Sequence, residues 1–186
     1  MSRRFQANNK QQLFIATLQA ALRSDDPTHI RVCGEPGIGK TRLILESTRP
    51  DDLAPLVLYC HAASLLSSPI LQALSEGERF HATLVVEECD ADTHARLVDQ
   101  LAKHSNRISV VSIYQDVDHA PGINLLVAPV LDESVIIDII ASYGAPKEVA
   151  QRWAPLCDGS PRVAHVIGEN LRSSPEDISR RHSCMT

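Results

Sequence analysis

One octapeptide, Gly-Glu-Pro-Gly-Ile-Gly-Lys-Thr at residues 34–41, constrains this chain more than any other feature. It satisfies G-x-x-x-x-G-K-[ST] at every fixed position, a pattern that belongs between a strand and a helix. Both flanks comply. His29-Ile30-Arg31-Val32-Cys33 is a short strand-like run, and Thr41-Arg42-Leu43-Ile44-Leu45-Glu46 carries the apolar residues of a helix packed on a sheet. Gly34, Gly37 and Gly39 let the backbone turn tightly and aim its N–H groups at an anion. Lys40 supplies a point charge for β- and γ-phosphates, and the Thr41 hydroxyl suits Mg²⁺. The candidate phosphate-binding set is therefore Gly34, Glu35, Pro36, Gly37, Ile38, Gly39, Lys40, Thr41 and Arg42.

The rest of the chain alternates in the same style. A helical pattern spans 9–23, through Leu13, Ile15, Leu18 and Leu22. Strands are expected at 29–33, 56–60, 83–86, 108–113 and 124–127, with helices at 62–74 and 92–104 between them. Continuous apolar strands alternating with helices mean a parallel sheet covered on both faces. The pattern changes near Pro129. Three helices then suffice, at 132–143, 146–156 and 161–172, with Ser160 as a natural N-cap and Pro161 as a natural first helical residue. The expected organisation is a core over 1–130, a helical lid over 131–172 and a loose polar tail over 173–186.

Composition excludes several classes. A net charge of −5 and an aromatic content of 4% give no footprint for nucleic acid and no stacking platform. Five cysteines without a C-x-x-C pair argue against metal and disulfides, and so for a reducing cytoplasm. No apolar stretch follows Arg3-Arg4, so no secretory signal is expected, and no run approaches membrane-spanning length. The eight histidines show no ligand spacing, and His94 is expected at the surface.

A second constellation is Leu84-Val85-Val86-Glu87-Glu88-Cys89-Asp90, an apolar strand that ends in acids. Taken alone, these acids would equally serve to cap the next helix. After a phosphate loop they suit an ATPase, with one carboxylate on the metal side and the next orienting water. They lie beside the loop only if the third strand neighbours the first.

With both motifs in hand, residues 5–172 resemble the AAA+ ATPases, in the branch shared by replication initiators and the STAND signalling ATPases. The resemblance implies a P-loop αβα sandwich with a five-stranded parallel sheet and a small helical lid, binding ATP with Mg²⁺. It makes Glu87-Glu88-Cys89-Asp90 the counterpart of the family's Asp-Glu-x-Asp Walker B, with Glu87 and Thr41 on Mg²⁺ and Glu88 on the attacking water. Glu87 departs from the family's Asp, so the resemblance implies that Glu87→Asp keeps or raises activity. Gln115, or else Ser112, falls at the sensor 1 end of the fourth strand; either would otherwise simply cap that strand. Arg162, after Gly159-Ser160-Pro161, matches the start of the sensor 2 helix and would reach the γ-phosphate. Phe5 to Leu13 falls on the adenine-side segment, with Ala7-Asn8 replacing Gly-Arg. No arginine finger lies between Asp116 and Asn124, and no pore loop lies between Cys60 and Glu78.

The resulting expectation is a cytoplasmic ATP-binding, slowly hydrolysing module that switches conformation or assembly. Its partners would be ATP or ADP and a second copy or another protein, with no membrane. The alternatives are an AAA+ ATPase of DNA transactions, or a nucleotide-binding module with little turnover.

Overall fold

The computed structural model describes residues 7–76, 81–102, 107–115 and 124–173. The chain divides into two compact units. The first holds the described residues up to Glu35 together with Lys40–Ala128; the second holds Pro36–Gly39 and the described residues from Pro129 onward.

The first unit is a five-stranded parallel sheet with helices. Its elements are α1 (Asn9–Leu22), β1 (His29–Cys33), α2 (Lys40–Ser47), β2 (Val57–His61), α3 (Ala62–Leu66), α4 (Pro69–Glu76), β3 (Ala82–Glu87), α5 (Ala91–Ala102), β4 (Ile108–Ile113) and β5 (Asn124–Val127). The strand order is β2-β3-β4-β1-β5. Thus β4 separates β3 from β1, and the condition that the third strand neighbour the first is not met. The acids nevertheless reach the loop, as shown below.

Burial explains why the central strands read as continuous apolar runs, whereas the edge strands β2 and β5 are half-buried to exposed. Leu84, Val85 and Val86 on β3 and Val110 and Val111 on β4 are all fully buried. Alternation sends Leu84, Val86 and Val110 to one face, where they join Leu97 and Leu101 of α5 and Leu65 of α3 in one apolar cluster. On the other set of positions stand Ile30, Val32, Val85 and Val111, while α1 and α2 pack on each other through an interior that buries Phe14, Leu18, Leu43 and Ile44.

Local sequence rules account for the element ends. Asn8 caps α1 in a capping box with Gln11, which is what its place in the Ala7-Asn8 pair does structurally; Phe5 and Gln6 lie outside the described residues. The expected helix over 62–74 is two helices, broken at Ser67 and Ser68, because Pro69 lacks the N–H needed to continue the first. His94 is the clearest correction. It is 2% exposed, facing inward from the first turn of α5. Two residues above it, Asp92 takes the exposed side of the same turn.

The second unit contains α6 (Glu133–Ala141), α7 (Lys147–Trp153), a short 3₁₀ turn (Ala154–Cys157) and α8 (Pro161–Ser173). Leu131, Ile136, Ile140, Ala150, Ala154, Cys157 and Ala164 form its core. The turn into α8 runs through two left-handed residues, Asp158 (φ 46°) and Gly159 (φ 70°). A Cβ at Gly159 would meet Val130 Cβ at 2.7 Å, so only glycine fits there.

Among the described residues, no helix is long and apolar enough to cross a membrane.

Candidate functional site

The phosphate-loop motif lies between β1 and α2, as its flanks require. In the first unit, Lys40 opens α2 and is nearly buried. Its ammonium donates to Gly34 O at 2.6 Å and to Glu35 O at 2.8 Å. Burial lowers its pKa from the ordinary lysine value. Two main-chain carbonyls thus hold the charge at the loop.

Next along α2, the Thr41 hydroxyl donates to Glu87 Oε1 at 2.8 Å. This contact joins the two motifs across 46 residues of sequence. Glu87 ends β3, two strands away from β1, and it still reaches the first turn of α2.

Glu88 follows with φ 53°, in the left-handed region that non-glycine residues seldom enter. The next residue shows why. Cys89 N–H donates to Ile113 O at 3.1 Å, and the Cys89 side chain is fully buried. Burial, with Asp90 close by, pushes the Cys89 thiol up to about 12, so it is a packing group and not a nucleophile. Asp90 then caps α5, accepting from Thr93 N–H at 2.7 Å. That hydrogen bond holds its carboxyl below the usual range. The chain is pinned on both sides of Glu88, and Glu88 absorbs the turn with an 80% exposed side chain.

The turn brings both acids to one imidazole, a residue that sequence reasoning missed. His61 ends β2 and pairs in register with Glu87. Its Nε2 lies 3.6 Å from Glu87 Oε2, and its Nδ1 lies 3.7 Å from Glu88 Oε2. The available signal was a polar residue at the tip of the strand neighbouring the acidic one. Reading β2 as 56–60 stopped one residue short of it.

The sensor 1 candidates separate. Gln115 is exposed on the bend past β4. Ser112 is 1% exposed, and its hydroxyl has no hydrogen-bond partner among the described residues. It pairs in register with Arg31, which is also 1% exposed. Residues 116–123, which carry no arginine in sequence, lie outside the described residues.

In the second unit, the loop tip Pro36–Gly39 packs on the start of α8. Gly37 O accepts from the Arg162 main-chain N–H at 3.3 Å and from the Ser160 hydroxyl at 3.3 Å. Gly37 has φ 84°, and a Cβ there would lie 3.0 Å from Arg162 Cβ. Ser160 Oγ accepts from Val163 N–H at 3.4 Å, the cap expected from sequence.

Structural comparison places this architecture. RuvB of Thermotoga maritima, a Holliday junction branch migration motor, superposes with a TM-score of 0.64 at 19% identity, covering 92% of this chain and 63% of its own. Cdc6p from Pyrobaculum aerophilum gives 0.66 at 16% identity, covering 96% and 65%. Drosophila ORC bound to DNA gives 0.59 at 16%, covering 94% and 65%. All three are AAA+ structures.

This chain has the AAA+ fold.

The chain spans 63–65% of the lengths of these three AAA+ proteins. No protein-family model and no curated protein matches it.

Thr41 and Glu87 offer donors that suit Mg²⁺. A threonine hydroxyl and a carboxylate oxygen 2.8 Å apart are hard oxygen donors of the kind Mg²⁺ takes. Among the described residues no group of three or more His, Cys, Asp or Glu side chains is placed to hold a metal. Such an ion would draw its remaining ligands from phosphate oxygens and water, as Mg²⁺ commonly does.

Proposed function

We propose that this chain is an ATP-binding, slowly hydrolysing AAA+ module that acts as a nucleotide-dependent switch of conformation or assembly. One observation carries the reading: the 2.8 Å contact between Thr41 and Glu87, which joins phosphate loop and acidic strand end. Gly34 to Arg42 would hold the phosphates, with Lys40 exchanging its loop carbonyls for phosphate oxygens. Thr41 and Glu87 would hold Mg²⁺, which supplies charge neutralisation when bound. Glu88, exposed beside His61, is the group able to accept a proton from water. Gln115 would orient that water, and Arg162 would meet the γ-phosphate from the lid. Movement of the lid is then the output, presented to a second copy or to another protein.

The test is calorimetric titration of MgATP into the parent and into Lys40→Ala, with light scattering in apo, ADP and ATP states. Micromolar binding that Lys40→Ala abolishes is expected, with scattering that differs between ATP and ADP. Equal affinity in a folded Lys40→Ala protein would remove the assignment.

A second reading, an ATPase of DNA transactions, is favoured by the likeness to a branch migration motor and to a DNA-bound initiator. Salt-dependent binding to duplex or junction DNA would support it, and the net charge of −5 weighs against it.

A further inference from the structure

We propose that Ser160 is a positioning residue for the phosphate loop: its hydroxyl, together with the Arg162 N–H, fixes the Gly37–Ile38 peptide plane and so aims the Ile38 N–H. The anion it serves is a phosphate of the bound nucleotide. The inference rests on the nucleotide-binding reading above only for that last step.

A peptide unit is planar, and in the trans form its C=O and N–H point in opposite directions. Gly37 O is held from one side by two donors, Ser160 Oγ and Arg162 N, each at 3.3 Å. The Ile38 N–H must then point away from α8. Steric contact reinforces the direction. Gly37 is closely packed, with Arg162 Cβ at 3.0 Å, Arg162 Cδ at 3.1 Å and Ser160 Oγ at 3.2 Å from where a Cβ would stand. The Ile38 side chain that follows is itself 3% exposed.

The clamp is itself held. Ser160 is buried, and its N–H donates to Cys157 O at 2.8 Å. Gly159 O accepts from Leu131 N–H at 3.0 Å, which ties the turn to the segment that enters the lid. Loop tip, α8 and lid entry therefore form one connected body. A loop whose donors are preset loses less freedom when an anion binds.

Ser160 also caps α8, so a test has to separate the two roles. Glycine caps nearly as well as serine, whereas alanine caps poorly, and neither offers a hydroxyl. Threonine keeps both functions. In the full chain, labelled with ¹³C and ¹⁵N and free of nucleotide, the Gly37 carbonyl ¹³C shift reports hydrogen bonding to that oxygen. Ser160→Gly and Ser160→Ala should move it upfield by the same amount, although only Ser160→Ala lowers the melting temperature appreciably. Ser160→Thr should leave it in place. Calorimetry with MgADP should show a loss of about five- to tenfold in both hydroxyl-free variants, the range of one hydrogen bond, and parent affinity in Ser160→Thr. An unmoved Gly37 shift in Ser160→Gly would overturn the proposal. So would affinity losses that follow melting temperature instead of the hydroxyl. If the parent itself binds no nucleotide, the function proposed above falls, and the Gly37 shift still decides whether Ser160 sets the loop.

Discussion

Glu88 sits at φ 53° because Cys89 is buried and bonded to Ile113 on one side while β3 ends on the other. Left-handed backbone costs an L-residue about 1–2 kcal/mol and glycine almost nothing. Glu88→Gly should therefore be more stable than Glu88→Ala by about 1 kcal/mol, the reverse of the usual order, with hydrolysis lost in both. Chemical denaturation gives the comparison, and an alanine variant as stable as the glycine variant would contradict it. Glu87 illustrates the opposite case, where side-chain length and not backbone decides. The resemblance to Asp-bearing Walker B segments makes Glu87→Asp benign. The 2.8 Å contact to Thr41 makes it harmful, since an arm one methylene shorter ends short of the hydroxyl. The expected cost is about 1–2 kcal/mol of a charge-assisted hydrogen bond. It should appear as roughly tenfold weaker Mg²⁺-dependent ATP binding in a magnesium titration. Unchanged or tighter binding would favour the resemblance over the geometry.

At the scale of elements, α8 packs its glycine against an aromatic ring. A Cβ at Gly168 would meet Tyr143 Cδ2 at 2.3 Å. Tyr143 is not free to retreat: its hydroxyl lies 3.0 Å from His165 Nδ1, the two rings meet edge to face, and the Arg172 guanidinium lies over it. In an unobstructed helix, Gly→Ala would stabilise by about 1 kcal/mol. Here overpacking should win, and Gly168→Ala should destabilise by about 1–3 kcal/mol. Removing the ring as well, in Gly168→Ala with Tyr143→Ala, should recover part of that loss. Thermal melts of the two single variants and the double variant measure the coupling; additive losses would show that the ring is not the obstacle.

For the whole molecule, acid should be the weak side. His94 is buried on α5 with its pKa lowered to about 4, by loss of solvent first and then by the nearby Arg31 and His29. As pH falls below the ordinary histidine value of about 6.5, the unfolded chain takes up a proton that the folded chain refuses. Stability is therefore full above about pH 6.5 and declines steadily toward pH 4. The contribution of this one group is about 3 kcal/mol at most. Denaturation midpoints measured from pH 7.5 to pH 4.5 should fall, and His94→Gln should flatten the slope. Turnover is the other whole-molecule property. The sequence from Asp116 to Asn124 offers no arginine to the transferring phosphate. A finger is worth about 10³-fold or more where one acts, so an isolated monomer should hydrolyse ATP well below about 1 s⁻¹. Steady-state phosphate release above that rate would show that another cation does the work.

What the sequence determined alone is the set of elements and the loop. β4 and β5 stand at 108–113 and 124–127 as read, because a short apolar run shows residue by residue, whether the strand is buried like β4 or lies at the sheet edge like β5. The Ser160 cap was legible for the same reason: it is settled within one turn. Strand order was not legible, since parallel crossovers of similar length permit several arrangements, and periodicity carries no information about neighbours. Everything that depended on order was therefore left to the tertiary structure. It placed β4 between β3 and β1, let Glu87 reach Thr41 from two strands away, and set His61 beside both acids. Glu87 and Glu88 both face His61 because the strand ends at Glu87 and a left-handed residue follows it, which no sequence pattern discloses. His94 was misread as a surface residue because one polar side chain in a helix does not reveal which face the sheet will cover. The clamp of Ser160 on Gly37 joins residues 123 positions apart, a separation at which only the folded chain decides what touches what.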